Sequence, residues 1–245
     1  RARLGHVQSL SCATEFLFAH RESCMECEST MPRPRVLFGI AVAAGFLFAC
    51  WTLAVMRTDG VEAFDESCTR TCFEMASQHR WGFMVFITDL GGVAAMLLLT
   101  IVGALWQASL GNRLLALAWI AVMVGCGVLN GGGKHIFGRE RPPVELRDRS
   151  VLETNASYPS GHAMGSAIGY GLLAYSLFLW QRCWPRRTVI LLATIGIVAA
   201  VGFSRVYLRA HWFSDVIAGW LLGLTWLFLC LGCLELLRLR PLSLK

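Results

Sequence analysis

"VLFGIAVAAGFLFACWTLAVM", residues 36–56, runs for 21 residues without one charged side chain. As a helix rising about 1.5 Å per residue, such a run covers the roughly 30 Å hydrocarbon core of a bilayer. Within lipid, a helix is the structure that satisfies its own backbone N–H and C=O groups inside one segment. The stretch therefore reads as a membrane-spanning helix, and the chain around it as an α-helical membrane protein.

Five further apolar runs follow, at about Leu90–Ala108, Leu114–Gly133, Ala163–Trp180, Thr188–Phe203 and Trp212–Leu234. Together they predict an all-α, six-span transmembrane helical bundle. Composition agrees: 56% of the 245 residues are hydrophobic and 16% charged, where soluble domains carry about 25% charged residues. Mean hydropathy is +0.55. The net charge of +6 is spread over short loops between the runs. Without a continuous basic stripe, a nucleic-acid partner is excluded, whereas an anionic partner at the membrane surface fits.

Residues 1–30 are polar, with cysteines at Cys12, Cys24 and Cys27, and "MPRPR" at 31–35 opens directly onto the first run. The expectation is a leader of thirty residues, disordered or foreign to the native chain, ahead of a membrane domain over 31–245. The first run lacks a small-residue cleavage site and reads as a retained anchor. A lone C-x-x-C at Cys24 and Cys27 carries no metal or redox reading. Cys50, Cys126, Cys230 and Cys233 fall inside apolar runs as small hydrophobic side chains. Cys68 and Cys72 could pair if their loop faces an oxidising compartment.

Six crossings place both termini on one side. Basic residues divide almost equally between the two faces, so a bare count gives no orientation. Setting aside those that chemistry would retain, the remainder favours cytoplasmic termini in a plasma (inner) membrane. The loops after the first, third and fifth runs then face outward.

Three polar stretches fall on that outward face: "KHIFGRERP" from 134, "YPSGH" at 158–162 and "SRVYLRAHWFSD" at 204–215. Each borders a different helix, so folding the bundle can bring all three to one membrane border. Lys134, Arg141 and Arg205 supply positive charge, and arginine grips a phosphate with paired hydrogen bonds. Ser160 and Gly161 read as a helix start, with Ser160 as cap and Gly161 admitting an anion to free backbone N–H groups. His211 and Asp215 are four residues apart and share a helix face. The carboxylate can hold one ring nitrogen and leave the other free as a nucleophile. His162, on another helix, is then available as general acid.

Written as spacings, the pattern is Lys134, six residues, Arg141-Pro142; then Pro159-Ser160-Gly161-His162; then Ser204-Arg205, five residues, His211, three residues, Asp215. It resembles the three-part signature of the type-2 phosphatidic acid phosphatase and vanadium haloperoxidase superfamily at every motif position. Gaps of 16 and 41 residues between the motifs are of the family's size. The resemblance implies that His211 attacks phosphorus to form a phosphohistidine. His162 would protonate the leaving oxygen and then activate water, while Asp215 orients His211. Lys134, Arg141, Ser160, Gly161 and Arg205 would bind the phosphoryl oxygens. It implies neither metal nor other cofactor.

The high hydrophobicity points to the membrane lipid phosphatase branch, acting on the terminal phosphate of a lipid phosphate or diphosphate. Two alternatives stand beside it: a phosphotransferase passing the group to a second lipid, and a non-catalytic lipid-phosphate binder or transporter. Arg139 and Arg209 are secondary candidates, Arg209 for a second phosphate. Asp89 beside Gly91-Gly92 is an ionisable residue at a membrane border, readable as functional or as a plain helix end. His79 and His135 read as surface residues. Asn155 begins a glycosylation sequon, meaningful if the loop is lumenal in a eukaryote. The stretch from Arg57 to Arg80, with Phe64 and Phe73, is expected on the outer surface.

Overall fold

A computed structural model describes residues 32–75, 78–143, 153–181 and 183–239, without the side chains of 78–80. The expectations for the leader and for the side chain of His79 lie outside that set.

The described residues form eight helices and no strand. They are α1 (Pro34–Arg57), α2 (Asp59–Met75), α3 (Gln78–Asp89), α4 (Val93–Ser109), α5 (Arg113–Phe137), α6 (Gly161–Phe178), α7 (Trp184–Tyr207) and α8 (Phe213–Leu239). Four of them, α1, α5, α7 and α8, are long and apolar enough to cross a bilayer. Counting the pair Trp81–Asp89 and Val93–Ser109, bent by 41° at the glycine break, brings the number to five. The remaining expected crossing is α6, whose sequence GHAMGSAIGYGLLAYSLF is diluted by glycine, serine and histidine. Its composition follows from its place: it packs against α4, α5, α7 and α8, and most of its residues are buried. A helix surrounded by helices needs small residues for close approach more than it needs greasy ones.

The core lies along α6. Met164, Ile168 and Leu172 interlock with Leu115, Trp119, Leu227 and Leu231 from α5 and α8. The Trp119 indole donates to Ser176 Oγ at 3.2 Å, and Trp226 to the Val122 carbonyl at 2.9 Å, so neither ring buries an unpaired N–H. Large apolar side chains such as Phe46, Val93, Leu105, Val128 and Leu192 point outward and are more than half exposed. That is the inverse of a soluble surface and the pattern a lipid solvent requires.

Three features position the polar end. Gly138 takes a left-handed conformation (φ 56°) and its N–H returns to the Lys134 carbonyl at 3.1 Å, which stops α5 and turns Arg139 and Arg141 away from its axis. After α7, the Ala210 and His211 N–H groups both return to the Arg205 carbonyl, with Arg209 at φ 54° in the position glycine usually fills. Finally, Ser157 N–H donates to the Arg139 carbonyl at 2.8 Å and Ser160 N–H to the Asp215 carbonyl at 3.0 Å. These two backbone bonds tie the loop before α6 to the ends of α5 and α8.

Candidate active site

The tethers gather the three polar stretches at one end of the bundle. Lys134 Nζ donates to Asn155 Oδ1 at 2.9 Å and to the Ala156 carbonyl at 2.8 Å. Arg141 donates to the Asn155 carbonyl, Asn155 Oδ1 and the Ala210 carbonyl at 2.7–2.8 Å. Arg205 reaches Thr88 Oγ1 at 3.1 Å and is almost wholly buried.

Both arginines converge on Glu153. Its Oε2 accepts from Arg141 at 2.6 Å and its Oε1 from Arg205 at 2.5 Å. Oε2 also lies 3.9 Å from His211 Nε2. Burial by itself would raise the Glu153 pKa, but the charges of nearby groups, Arg205 foremost and Arg141 with it, outweigh it and bring it down to about 2. The carboxylate is thus ionised and held by the same groups that the sequence assigned to phosphate.

His211 is fully buried. Burial first, then the positive charges of Arg205 and Arg141, push its pKa well below the usual 6.5, so the imidazole is neutral at neutral pH. The expected His211–Asp215 pair is present, with an addition. Nδ1 lies 3.5 Å from Asp215 Oδ2 and 3.3 Å from Ser157 Oγ, and Ser157 donates a short hydrogen bond to the same Oδ2. The serine hydroxyl therefore bridges ring and carboxylate. With Nδ1 turned to this acceptor pair, Nε2 faces Arg141 and Glu153 with its lone pair. Asp215 Oδ2 also accepts the Trp212 N–H at 3.0 Å, and its other oxygen, Oδ1, accepts from Arg139 at 2.7 Å.

Ser160 occupies the N-cap position of α6, but the expected capping bond is not made. Its hydroxyl is buried without a hydrogen-bond partner, as is Nε of Arg205. Each orphan costs roughly 1–3 kcal/mol, and each is a donor that an anionic oxygen would satisfy. Gly161 admits the Asn130 amide: a Cβ there would stand 2.9 Å from Asn130 Oδ1. His162 is half-buried and leans on the glycine turn between α3 and α4, its Nε2 3.7 Å from where a Gly92 Cβ would lie. His162, Gly161, Lys134, Glu153 and Asn155 line one end of a cleft of about 830 Å³. Its remaining wall runs between α4 and α5 past Met96, Leu97, Ile101, Ala104 and Met123.

The secondary candidates fall differently. Arg139 spends its guanidinium on Asp215, Ser214 and Asp65 and stacks over Trp212. Arg209 lies over the Phe73 ring at 5.3 Å. Asp89 and His135 are exposed. Cys68 and Cys72, one turn apart on α2, are both free thiols. Among the described residues, no group of three or more His, Cys, Asp or Glu is arranged to hold a metal ion.

Sequence reading missed Glu153, Ser157, Thr88 and Asp65 as site residues, and saw Asn155 only as a sequon. A signal existed for three of them. Glu153, Asn155 and Ser157 alternate just ahead of the second motif, and alternate residues of an extended segment face the same way.

Comparison with known proteins agrees with this geometry. A sequence profile of the PAP2 superfamily matches residues 113–238. Phosphatidylglycerophosphatase B of Bacillus subtilis is 31% identical over 192 residues, 76% of this chain and 91% of that protein. An undecaprenyl-diphosphatase of Sulfolobus acidocaldarius is 32% identical over 147 residues, 58% of this chain and 65% of that one. The crystal structure of a transmembrane PAP2-type phosphatidylglycerolphosphate phosphatase from Bacillus subtilis superposes with a TM-score of 0.73 at 28% identity, covering 83% of this chain and 99% of the other. The profile match encloses the motifs that meet around His211, and profile, relatives and superposition together show that this chain is an integral membrane protein of the PAP2 superfamily.

Proposed function

We propose that the protein is a lipid phosphatase that removes the terminal phosphate of a lipid phosphate or diphosphate through a phosphohistidine on His211. One observation carries the reading: Arg141, Arg205 and His211 Nε2 converge on a single anionic group, the Glu153 carboxylate. An anion held by two arginines beside a neutral, buried imidazole marks where a phosphoryl group would sit. The relatives named as phosphatidylglycerophosphatase and undecaprenyl-diphosphatase support the same class of substrate.

The substrate's phosphoryl oxygens replace Glu153 as partners of Arg141 and Arg205, with Lys134, Ser160 and the Gly161 N–H completing the cradle. His211 Nε2 attacks phosphorus and the P–O bond to the lipid breaks. Positive charge that develops on the ring is stabilised through Nδ1 by Ser157 and Asp215. His162 gives its proton to the departing lipid oxygen, and the entering phosphate favours that protonated form by its own negative charge. It then takes a proton from water, which hydrolyses the N–P bond and releases phosphate. The apolar wall between α4 and α5 fits the lipid's tail. In this reading α6 is a sixth crossing, the termini are cytoplasmic, and the site opens at the outer border of the plasma membrane.

Phosphate release by the purified protein in detergent with excess EDTA tests this. The panel is phosphatidic acid, phosphatidylglycerol phosphate, diacylglycerol diphosphate and undecaprenyl diphosphate, with His211→Ala alongside. EDTA-resistant release that vanishes in the variant is the expected result. Release that persists in His211→Ala would remove the phosphohistidine route, and no release from any of the four would remove the phosphatase reading.

A further inference from the structure

Asp65 lies on α2, far from the three motifs in sequence, and is completely buried. The buried residues of α2 are Asp65, Thr69 and Cys72, spaced as one helical face, so the carboxylate is directed inward by the helix's own period. Its Oδ1 accepts the backbone N–H of Ser214 at 2.9 Å. Ser214 is the second residue of α8, where helix geometry leaves N–H groups without intrahelical partners. Asp65 therefore caps α8 from another helix. Its Oδ2 accepts the Ser214 hydroxyl at 2.5 Å and Arg139 at 2.8 Å. Arg139 continues to Ser214 Oγ at 2.6 Å and Asp215 Oδ1 at 2.7 Å.

We infer that Asp65 is a positioning residue for His211, acting through Arg139, Ser214 and Asp215. The inference rests on the reading of His211 as nucleophile. Two effects combine. By anchoring the first turn of α8 and the Nη2 end of the Arg139 fork, whose Nη1 end holds Asp215 Oδ1, Asp65 fixes the rotation of the Asp215 carboxylate, so that Oδ2 faces Ser157 and His211. Its charge also balances Arg139. Without it, the whole positive charge of Arg139 falls on Asp215 and reduces the negative potential that Asp215 offers the charged ring. Both losses appear in the phosphoryl-transfer step and leave the phosphate-binding groups in place, because Asp65 touches none of Lys134, Arg141, Ser160 or Arg205.

The test uses the protein in detergent with a short-chain form of whichever of the four panel lipids the wild type hydrolyses, measuring kcat and KM for wild type, Asp65→Asn, Arg139→Gln, the double variant and His211→Ala. Asp65→Asn keeps the volume and an acceptor for the Ser214 N–H. The expected result is a fall of about tenfold in kcat with KM within about twofold of wild type. Because Asp65 works through Arg139, adding Asp65→Asn to Arg139→Gln should change kcat by less than about twofold. Equal losses in both backgrounds, an unchanged kcat, or a loss confined to KM would overturn the inference. If Asp65→Asn does not yield folded protein, Ser214→Ala decides: it cuts the hydroxyl link, and a kcat equal to wild type would count against Asp65. A wild type that hydrolyses none of the lipids sinks the phosphatase reading and this inference together; an active wild type with an unaffected Asp65→Asn sinks this inference alone.

Discussion

If the Glu153 carboxylate occupies the position of the substrate's phosphoryl group, it competes with phosphate for the same donors. Glu153→Gln removes the charge while keeping shape and one acceptor oxygen. Binding phosphate in the wild type breaks two charge-assisted bonds, to Arg141 and Arg205, each worth roughly 1.5–3 kcal/mol. The Glu153 side chain is already 31% exposed, so rehydration on leaving offsets most of that. A net penalty of about 1–2 kcal/mol remains, which is roughly a five- to thirtyfold effect on affinity. Inhibition by inorganic phosphate, measured with a short-chain lipid phosphate as substrate, should become about tenfold tighter in the variant, and KM should fall with it. The same substitution has a pH signature. The folded-state pKa of about 2 lies below the usual 4.5, so the stabilisation is fully present above pH 4.5 and is lost as pH falls toward 2. Thermal unfolding of the wild type should lose ground across that window while Glu153→Gln does not show this loss. Phosphate inhibition that is unchanged or weaker in the variant would refute the reasoning, because Glu153 would then be no competitor.

Ser157→Ala removes the hydroxyl between His211 Nδ1 and Asp215 Oδ2; kcat should fall about tenfold with a smaller change in KM, as expected for one lost hydrogen bond to a charged group. Arg205→Ala leaves the Glu153 carboxylate with Arg141 as its remaining arginine and, since Glu153 is partly hydrated, should destabilise the protein by about 1–2 kcal/mol. Arg205→Lys keeps the charge, loses the fork and should cost more activity than stability; unfolding curves and kcat/KM separate the two. The depressed pKa of buried His211 means that the unfolded chain takes up a proton first as pH falls below about 6.5. Wild-type stability should therefore decline from pH 7 to 5 by more than that of His211→Gln, as measured by unfolding in detergent at each pH.

The apolar runs at 36–56 and its successors, and the residue types at 134, 141, 160–162, 205, 211 and 215, were legible in the chain itself. Lipid imposes a length of about twenty apolar residues that can be read directly, and each motif is local, spanning a dozen residues at most. The fourth apolar run was legible as a helix but not as the bundle's centre: α6 differs from the lipid-facing helices in its small, buried side chains, and only its four neighbours explain them. What tertiary structure alone decided is how the charges are partnered. Arg139 looked like a phosphate contact and turned to two carboxylates; Glu153 met both phosphate-assigned arginines; Ser157 entered between His211 and Asp215; Asp65 joined from 149 residues before Ser214. Periodicity and spacing report which side of a helix a residue occupies. Which buried charge finds which partner depends on desolvation and distance between separate helices, and those come into being only when the bundle closes.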